Sequence, residues 1–259
     1  GDFMNKGVSL EGGLTATIPI SQTDLAPAEL EKQLLDIYPD TDMNVRRLSN
    51  PTEGAFATVV EANVVEDEER KSFTNDLAEI TGIAEEDMNI ELMGPSLGQS
   101  FFRQTIKAMI FAFILMGAVV FMYFRTVVPS GAVIISAFSD IVVTLAAVNM
   151  LGIKMSTAGL AGFLMLIGYS IDTDILLTTR VLREKSGDVF ERTIGAAKTG
   201  LTMGFSTIIA AALAVVFSQS DVLTQIMTIV MLGLIIDLMN TWLQNVGLLR
   251  WYVERKGIE

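Results

Sequence analysis

Beyond residue 100 the chain alternates long apolar runs with short polar connections. The runs cover residues 108–124, 126–153, 155–179, 199–220 and 222–249. Two of them carry no charge. Asp140 alone interrupts the second, Asp172 and Asp174 the third, and Asp237 the fifth. At about 1.5 Å of rise per residue, each reaches or approaches the roughly 30 Å of a bilayer's hydrocarbon layer. The shortest can extend through Arg103 and Lys107, whose side chains can snorkel to the interface. Backbone groups cannot stay unpaired in lipid, so the runs predict spanning helices at about 102–124, 127–151, 155–180, 199–219 and 222–249.

Residues 1–100 follow shorter periods. Alternation over 14–20 predicts a strand. Pro27 opens a helix, with Glu29, Leu30, Gln33, Leu34 and Ile37 at helical spacing and Pro39 closing it. Strand patterns follow at 43–48 and 55–65, separated by a turn cluster at 50–54. A helix over 68–81 stops at Gly82, and 88–93 forms the last strand. The order β-α-β-β-α-β is that of a small ferredoxin-like α+β domain. The fold class expected is therefore a multi-pass α-helical membrane protein carrying such a domain at 1–100, with the helical bundle at 101–259.

Charge separates the same two regions. Residues 1–100 hold 20 acidic and 6 basic side chains, and 101–259 hold 10 and 12. An acidic domain argues against nucleic acid as a partner. Alternate connections collect the basic residues: Arg125, then Arg180, Arg183, Lys185, Arg192 and Lys198, then Arg250, Arg255 and Lys256. The positive-inside rule puts these, and the C-terminus, in the cytoplasm, and residues 1–100 on the outer face of the cell membrane. Five spans ending inside begin outside, so a sixth span is expected ahead of Gly1.

The intramembrane acids are the candidate chemistry. A carboxylate at membrane depth costs roughly 2.5–3.5 kcal/mol even on lenient insertion scales. Histidine and cysteine are absent, so a proton crossing this bundle would have to use acids. Asp140 lies about 16 Å from the cytoplasmic side, Asp172 about 12 Å and Asp237 about 20 Å, which places acids of three helices near one level. Ser136, Asp140 and Thr144 share a helical face. Asp237, Asn240, Thr241 and Gln244 form a second polar stripe. Asp172 and Asp174 differ by about 200° around their helix, so both cannot enter one pocket. Arg180 could pair with an acid on another helix. Read blandly, the acids only hold helices together.

Other features read as structure. Gly159, Gly162, Gly200 and Gly204 suit close helix packing, and Met203, Met227 and Met231 suit apolar filling. The run Glu66-Asp67-Glu68-Glu69 lacks the alternating ligands of a calcium loop and suits a helix's first turn. No catalytic constellation, metal set or cofactor motif is present, which predicts a protein that is not an enzyme.

The run Gly168-Tyr169-Ser170-Ile171-Asp172-Thr173-Asp174, continuing to Arg180, resembles the signature of SecF subunits of the SecD–SecF protein-export complex, within the resistance–nodulation–division superfamily. Residues 137–141 around Asp140 look like that family's second span after the outer domain. Gly12 and Gly13 close a segment similar to its Gly-x-Asp-x-x-Gly-Gly motif, with Ser9 in place of the Asp. Asp172-Thr173 and Thr179-Arg180 stand where bacterial members carry Asn-Asp and Asp-Arg, so the chain looks like the archaeal branch. The resemblance implies pairing with a SecD-like subunit, docking on the SecY translocon, and help to exported polypeptides driven by the proton gradient. It makes Asp140 the expected proton-binding acid at the seam with SecD. Arg180 becomes its counter-charge, with Asp172, Asp174 and Asp237 in support. A small-molecule or lipid exporter of the same superfamily is the alternative. An intramembrane aspartyl protease lacks support, since its Gly-x-Gly-Asp motif is absent.

Overall fold

The computed structural model describes residues 6–19, 25–50, 54–184, 187–218 and 220–257. One unit gathers the N-terminal region up to Thr105 with Lys154–Thr157 and Val216–Asp221; the other holds the remaining helices.

In the first unit a single helical turn, α1 (Val8–Glu11), precedes β1 (Gly13–Pro19). Gly13 has φ +138, and a Cβ there would lie 2.3 Å from the Ala62 carbonyl, so only glycine fits. Then follow α2 (Pro27–Ile37), β2 (Met43–Asn50), β3 (Gly54–Ala62), α3 (Asp67–Thr81) and β4 (Asn89–Met93). The sheet is antiparallel in the order β2-β3-β1-β4. That is the split βαβ topology the alternation predicts. Residues 51–53 of the expected turn lie outside the described residues.

Alternation on β1 sends Leu14, Ala16 and Ile18 inward, opposite Ala62, Val60 and Thr58 of β3. Leu30 and Leu34 of α2 and Phe73 and Leu77 of α3 close over them, burying one face of each helix. Each such side chain contributes about 1.5–3 kcal/mol when removed from water. Pro27 opens α2 without wasting an amide, and Gly82 ends α3 in the left-handed conformation, φ 70. Asp67, Glu68 and Glu69 do occupy the first turn of α3. Lys154–Thr157 belong to this unit: Gly7 N donates to Met155 O at 2.7 Å, and Lys154 Nζ meets Asp42 Oδ1 at 2.8 Å.

The second unit comprises α4 (Pro95–Phe124, from Ile106), α5 (Val127–Met150), α6 (Thr157–Arg183), α7 (Val189–Phe217) and α8 (Asp221–Met239). Among the described residues five helices are long and apolar enough to cross a membrane. A π-helical stretch, Asn240–Asn245, joins α8 to α9 (Val246–Lys256). The helices outrun the apolar runs because polar turns extend them. α7 starts at Val189, ten residues before the expected span, where Asp188 accepts the Glu191 amide at 2.7 Å. Half of the apolar stretch of α6 is buried, more than in any other helix. Glycine sets the closeness: a Cβ on Gly162 would press Ile229 at 3.3 Å, and one on Gly204 would lie 2.8 Å from Leu238. Gly233 of α8, which spacing alone does not single out, is tighter still, 2.4 Å from Leu166.

Candidate functional site: a buried acid cluster

Three carboxylates on three helices point into one interior. Asp140 of α5 and Asp174 of α6 are 0% exposed, and Asp237 of α8 is 1% exposed. The 3.6-residue period puts Ser136, Asp140 and Thr144 on the buried side of α5, and Ser170, Asp174 and Thr178 on the buried side of α6. Their hydrogen-bond donors are neutral. Ser170 Oγ donates to Asp140 Oδ2 at 2.5 Å, and Asn240 Nδ2 donates to Asp140 Oδ1 at 2.7 Å. Asn245 Nδ2 donates to Asp174 Oδ1 at 2.6 Å. Thr241 Oγ1 lies 3.1 Å from Asp174 Oδ1 and 3.2 Å from Asp237 Oδ1. Asp237 adjoins Asp140, and all three acids interact electrostatically. Among the described residues, Asp174 Oδ2 and Asn245 Oδ1 are buried in the cluster without a well-formed hydrogen bond, as are Thr144 Oγ1 and Thr178 Oγ1 on the same helix faces.

The cluster differs from the sequence expectation at two acids and one amide. Asp172 was the acid expected at the shared level; it is exposed instead, and Asp174 takes the inner place. The 200° between them means one inward residue forces the other outward, and Ser170 and Thr178 fix which face turns in. Asp140, the acid that the resemblance places at the seam with SecD, is 0% exposed within this chain. Asn245 was not read as part of the stripe, whereas Gln244 was. In an α-helix, position i+7 from Asp237 shares its face. Across the π-helical stretch each residue turns through less than 100°, and i+8 takes that place. Gln244 is consequently only half-buried while Asn245 is fully buried.

Arg180 is half-buried and bonds Thr199 Oγ1 at 3.3 Å. Among the described residues it pairs with no carboxylate. Arg183 lies 4.2 Å above the Tyr123 ring and donates to the Tyr123 carbonyl. Gly168 and Tyr169 share the exposed face of α6 with Asp172, and no atom would meet a Cβ on Gly168 within 4 Å. Gly12 and Gly13 sit in the other unit, at the start of β1.

Chemically, the cluster can store and pass protons. Among the described residues no cation within bonding distance offsets the acids. Among the described residues no group of three acids, histidines or cysteines is arranged to hold a metal ion.

Comparison with known proteins places this arrangement. A family described as "Protein export membrane protein SecD/SecF, C-terminal" matches residues 73–255. A protein-export membrane protein SecF from Thermococcus gammatolerans is 37% identical over 260 residues, covering 97% of this chain and 79% of that one. Its counterpart from Pyrococcus furiosus is 36% identical, covering 100% and 85%. Among solved structures, SecDF in its super-membrane-facing form matches 98% of this chain with a TM-score of 0.62 at 18% identity. A heavy metal efflux pump matches 94% with a TM-score of 0.54 at 12% identity. At those identities the likeness is one of fold, and this chain spans 35% and 36% of the two solved chains.

Proposed function

Because this chain belongs to the SecF family of protein-export membrane proteins, we propose that its buried acids couple proton movement to the export of polypeptides. It is a multi-pass membrane protein of the export machinery. Paired with a SecD-like subunit, it assists secreted chains through the SecY channel. Residues 1–100 stand on the outer face and the C-terminus in the cytoplasm, a topology supported by the basic connections at Arg125, Arg180–Lys198 and Arg250–Lys256.

One observation carries the coupling. Asp140, Asp174 and Asp237 meet between three spanning helices, held only by hydroxyls and amides. Burying three acids in this layer is expensive, and a mere scaffold would gain more from apolar packing. Acids that bind and release protons account for the expense.

Asp172 supports the pairing. A carboxylate on the outer face of a spanning helix cannot be satisfied by hydrocarbon. The face formed by Gly168, Tyr169 and Asp172 is a protein seam, and Gly168 leaves room for a partner backbone to approach. The exporter alternative is weaker, since the efflux pump shares fold alone, whereas SecF relatives are 36% and 37% identical along nearly the whole chain.

The test is Asp140→Asn in the complex with its SecD-like partner. Assembly should survive, since the amide is isosteric, while proton-dependent export is lost. Export that still responds to a proton gradient would overturn the reading.

A further inference from the structure

We infer that the Thr241 hydroxyl relays protons between Asp237 and Asp174, an inference that rests on the proton-coupled reading and supplies its route. Three observations lead there.

The first is stoichiometric. Thr241 Oγ1 is within hydrogen-bond reach of one oxygen from each acid, at 3.2 and 3.1 Å. A hydroxyl has one hydrogen and two lone pairs. Both contacts are full hydrogen bonds only when one acid carries a proton and donates it to Thr241, which donates to the other acid. Asp174 Oδ1 also accepts from Asn245 Nδ2 at 2.6 Å, so that oxygen is the receiving end.

The second is conformational. A threonine inside a helix ordinarily turns its hydroxyl back onto the carbonyl four residues earlier. Thr193, Thr202 and Thr228 do so, each at 2.7 Å. Thr241 bonds carboxyl groups instead. It sits in the π-helical stretch, where the backbone hydrogen-bond ladder is wider than in an α-helix.

The third is the orphaned polar atoms. Asp174 Oδ2 and Asn245 Oδ1 are buried at the receiving end without a well-formed hydrogen bond, with the Ser136 hydroxyl facing Asp174. A pair of acids serving only to glue helices would be fully bonded on both oxygens. One oxygen of Asp174 is not.

The transfer balances without any co-reactant. The O–H bond of protonated Asp237 breaks as its proton passes to Thr241 Oγ1. The original Thr241 O–H bond breaks in the same event, and that proton binds Asp174 Oδ1. A carboxylic acid and a carboxylate have exchanged identities, and the hydroxyl is regenerated. Rotation about the threonine Cα–Cβ bond resets it. Asp140, adjoining Asp237 and anchored by Ser170, is the next acid in line. The route therefore runs Asp140, Asp237, Thr241, Asp174, and crosses from α5 to α8 to α6.

The experiment uses the complex with its SecD-like partner in proteoliposomes, with a pH-sensitive dye inside and an imposed proton gradient. Three chains are compared: wild type, Thr241→Val and Thr241→Ser. Valine keeps the branched shape but lacks the hydroxyl; serine keeps the hydroxyl but lacks the methyl. The relay predicts proton flux at least about ten-fold lower in Thr241→Val and within about two-fold of wild type in Thr241→Ser. Equal flux in Thr241→Val overturns the relay while leaving the broader reading intact. Flux lost in both variants also overturns it, since packing alone would explain that. No flux in wild type overturns the coupling itself. Should Thr241→Val fail to assemble, infrared difference spectra of wild type and Thr241→Ala decide. Loss of the relay hydroxyl should shift the carboxylic C=O band of the acid it touches, and a band at the same position in both chains rejects the relay.

Discussion

Asn245 reaches Asp174 across the contact between two helices, its amide nitrogen 2.6 Å from the Asp174 carboxyl. The bond exists because the coil widens over Asn240–Asn245 and turns Asn245 onto the same side as Asp237 and Thr241. Replacing Asn245 with leucine keeps the bulk and deletes the donor. The loss should be about 1–3 kcal/mol, because a buried acceptor loses a partner. Thermal unfolding of the detergent-solubilised protein would measure it, with Gln244→Leu nearly neutral as the control.

The two acids of α6 should separate cleanly. Asp174→Ala strips both Thr241 and Asn245 of an acceptor and should lower the stability of the isolated chain by about 2–6 kcal/mol, one to three per orphaned group. Asp172→Ala touches an exposed position and should stay within about 0.5 kcal/mol. Its effect should appear in co-purification with the SecD-like partner. Equal destabilisation by the two would contradict the inward and outward assignment.

Much of this was legible in the chain. Apolar runs longer than any soluble core helix revealed the spans, and period-two alternation with Pro27 and Gly82 as punctuation revealed the split βαβ domain. Asp140 and Asp237 were identifiable because a lone charge in an apolar run has few explanations. The choice between Asp172 and Asp174 was not, since spacing says they diverge but not which turns in. Asn245 was hidden for another reason. No local pattern marks a π-helical stretch, so counting by 3.6 nominated Gln244. Gly233 was missed because only the facing Leu166 gives it a reason to be glycine.

That contact yields a packing prediction. A methyl on Gly233 would fall 2.4 Å from a Leu166 methyl, so Gly233→Ala should cost about 1–3 kcal/mol through forced repacking. The double variant Gly233→Ala with Leu166→Ala should recover part of that loss relative to the sum of the singles. A double-mutant cycle on thermal melts reads the coupling directly.

In the outer domain, burial and a 2.6 Å hydrogen bond to Asp76 raise the Tyr38 phenol above its ordinary value of 10.0, the burial contributing most. The folded state thus holds the phenolic proton longer than the unfolded chain. The stabilisation is complete below pH 10 and falls away as pH rises through the folded value. Ultraviolet titration of phenolate should place Tyr38 above a free tyrosine. Tyr38→Phe should flatten the alkaline end of the stability profile.

Among the described residues no lysine, arginine or histidine bonds the acid cluster. A proton that enters it neutralises a carboxylate and so changes the charge part-way across the bilayer's electric field by a full unit. Such a step is worth up to about 2.3 kcal/mol per 100 mV. Occupancy of Asp140, Asp237 and Asp174 would then track voltage as well as acidity, and a purely electrical potential imposed at equal pH would be enough to fill or empty them.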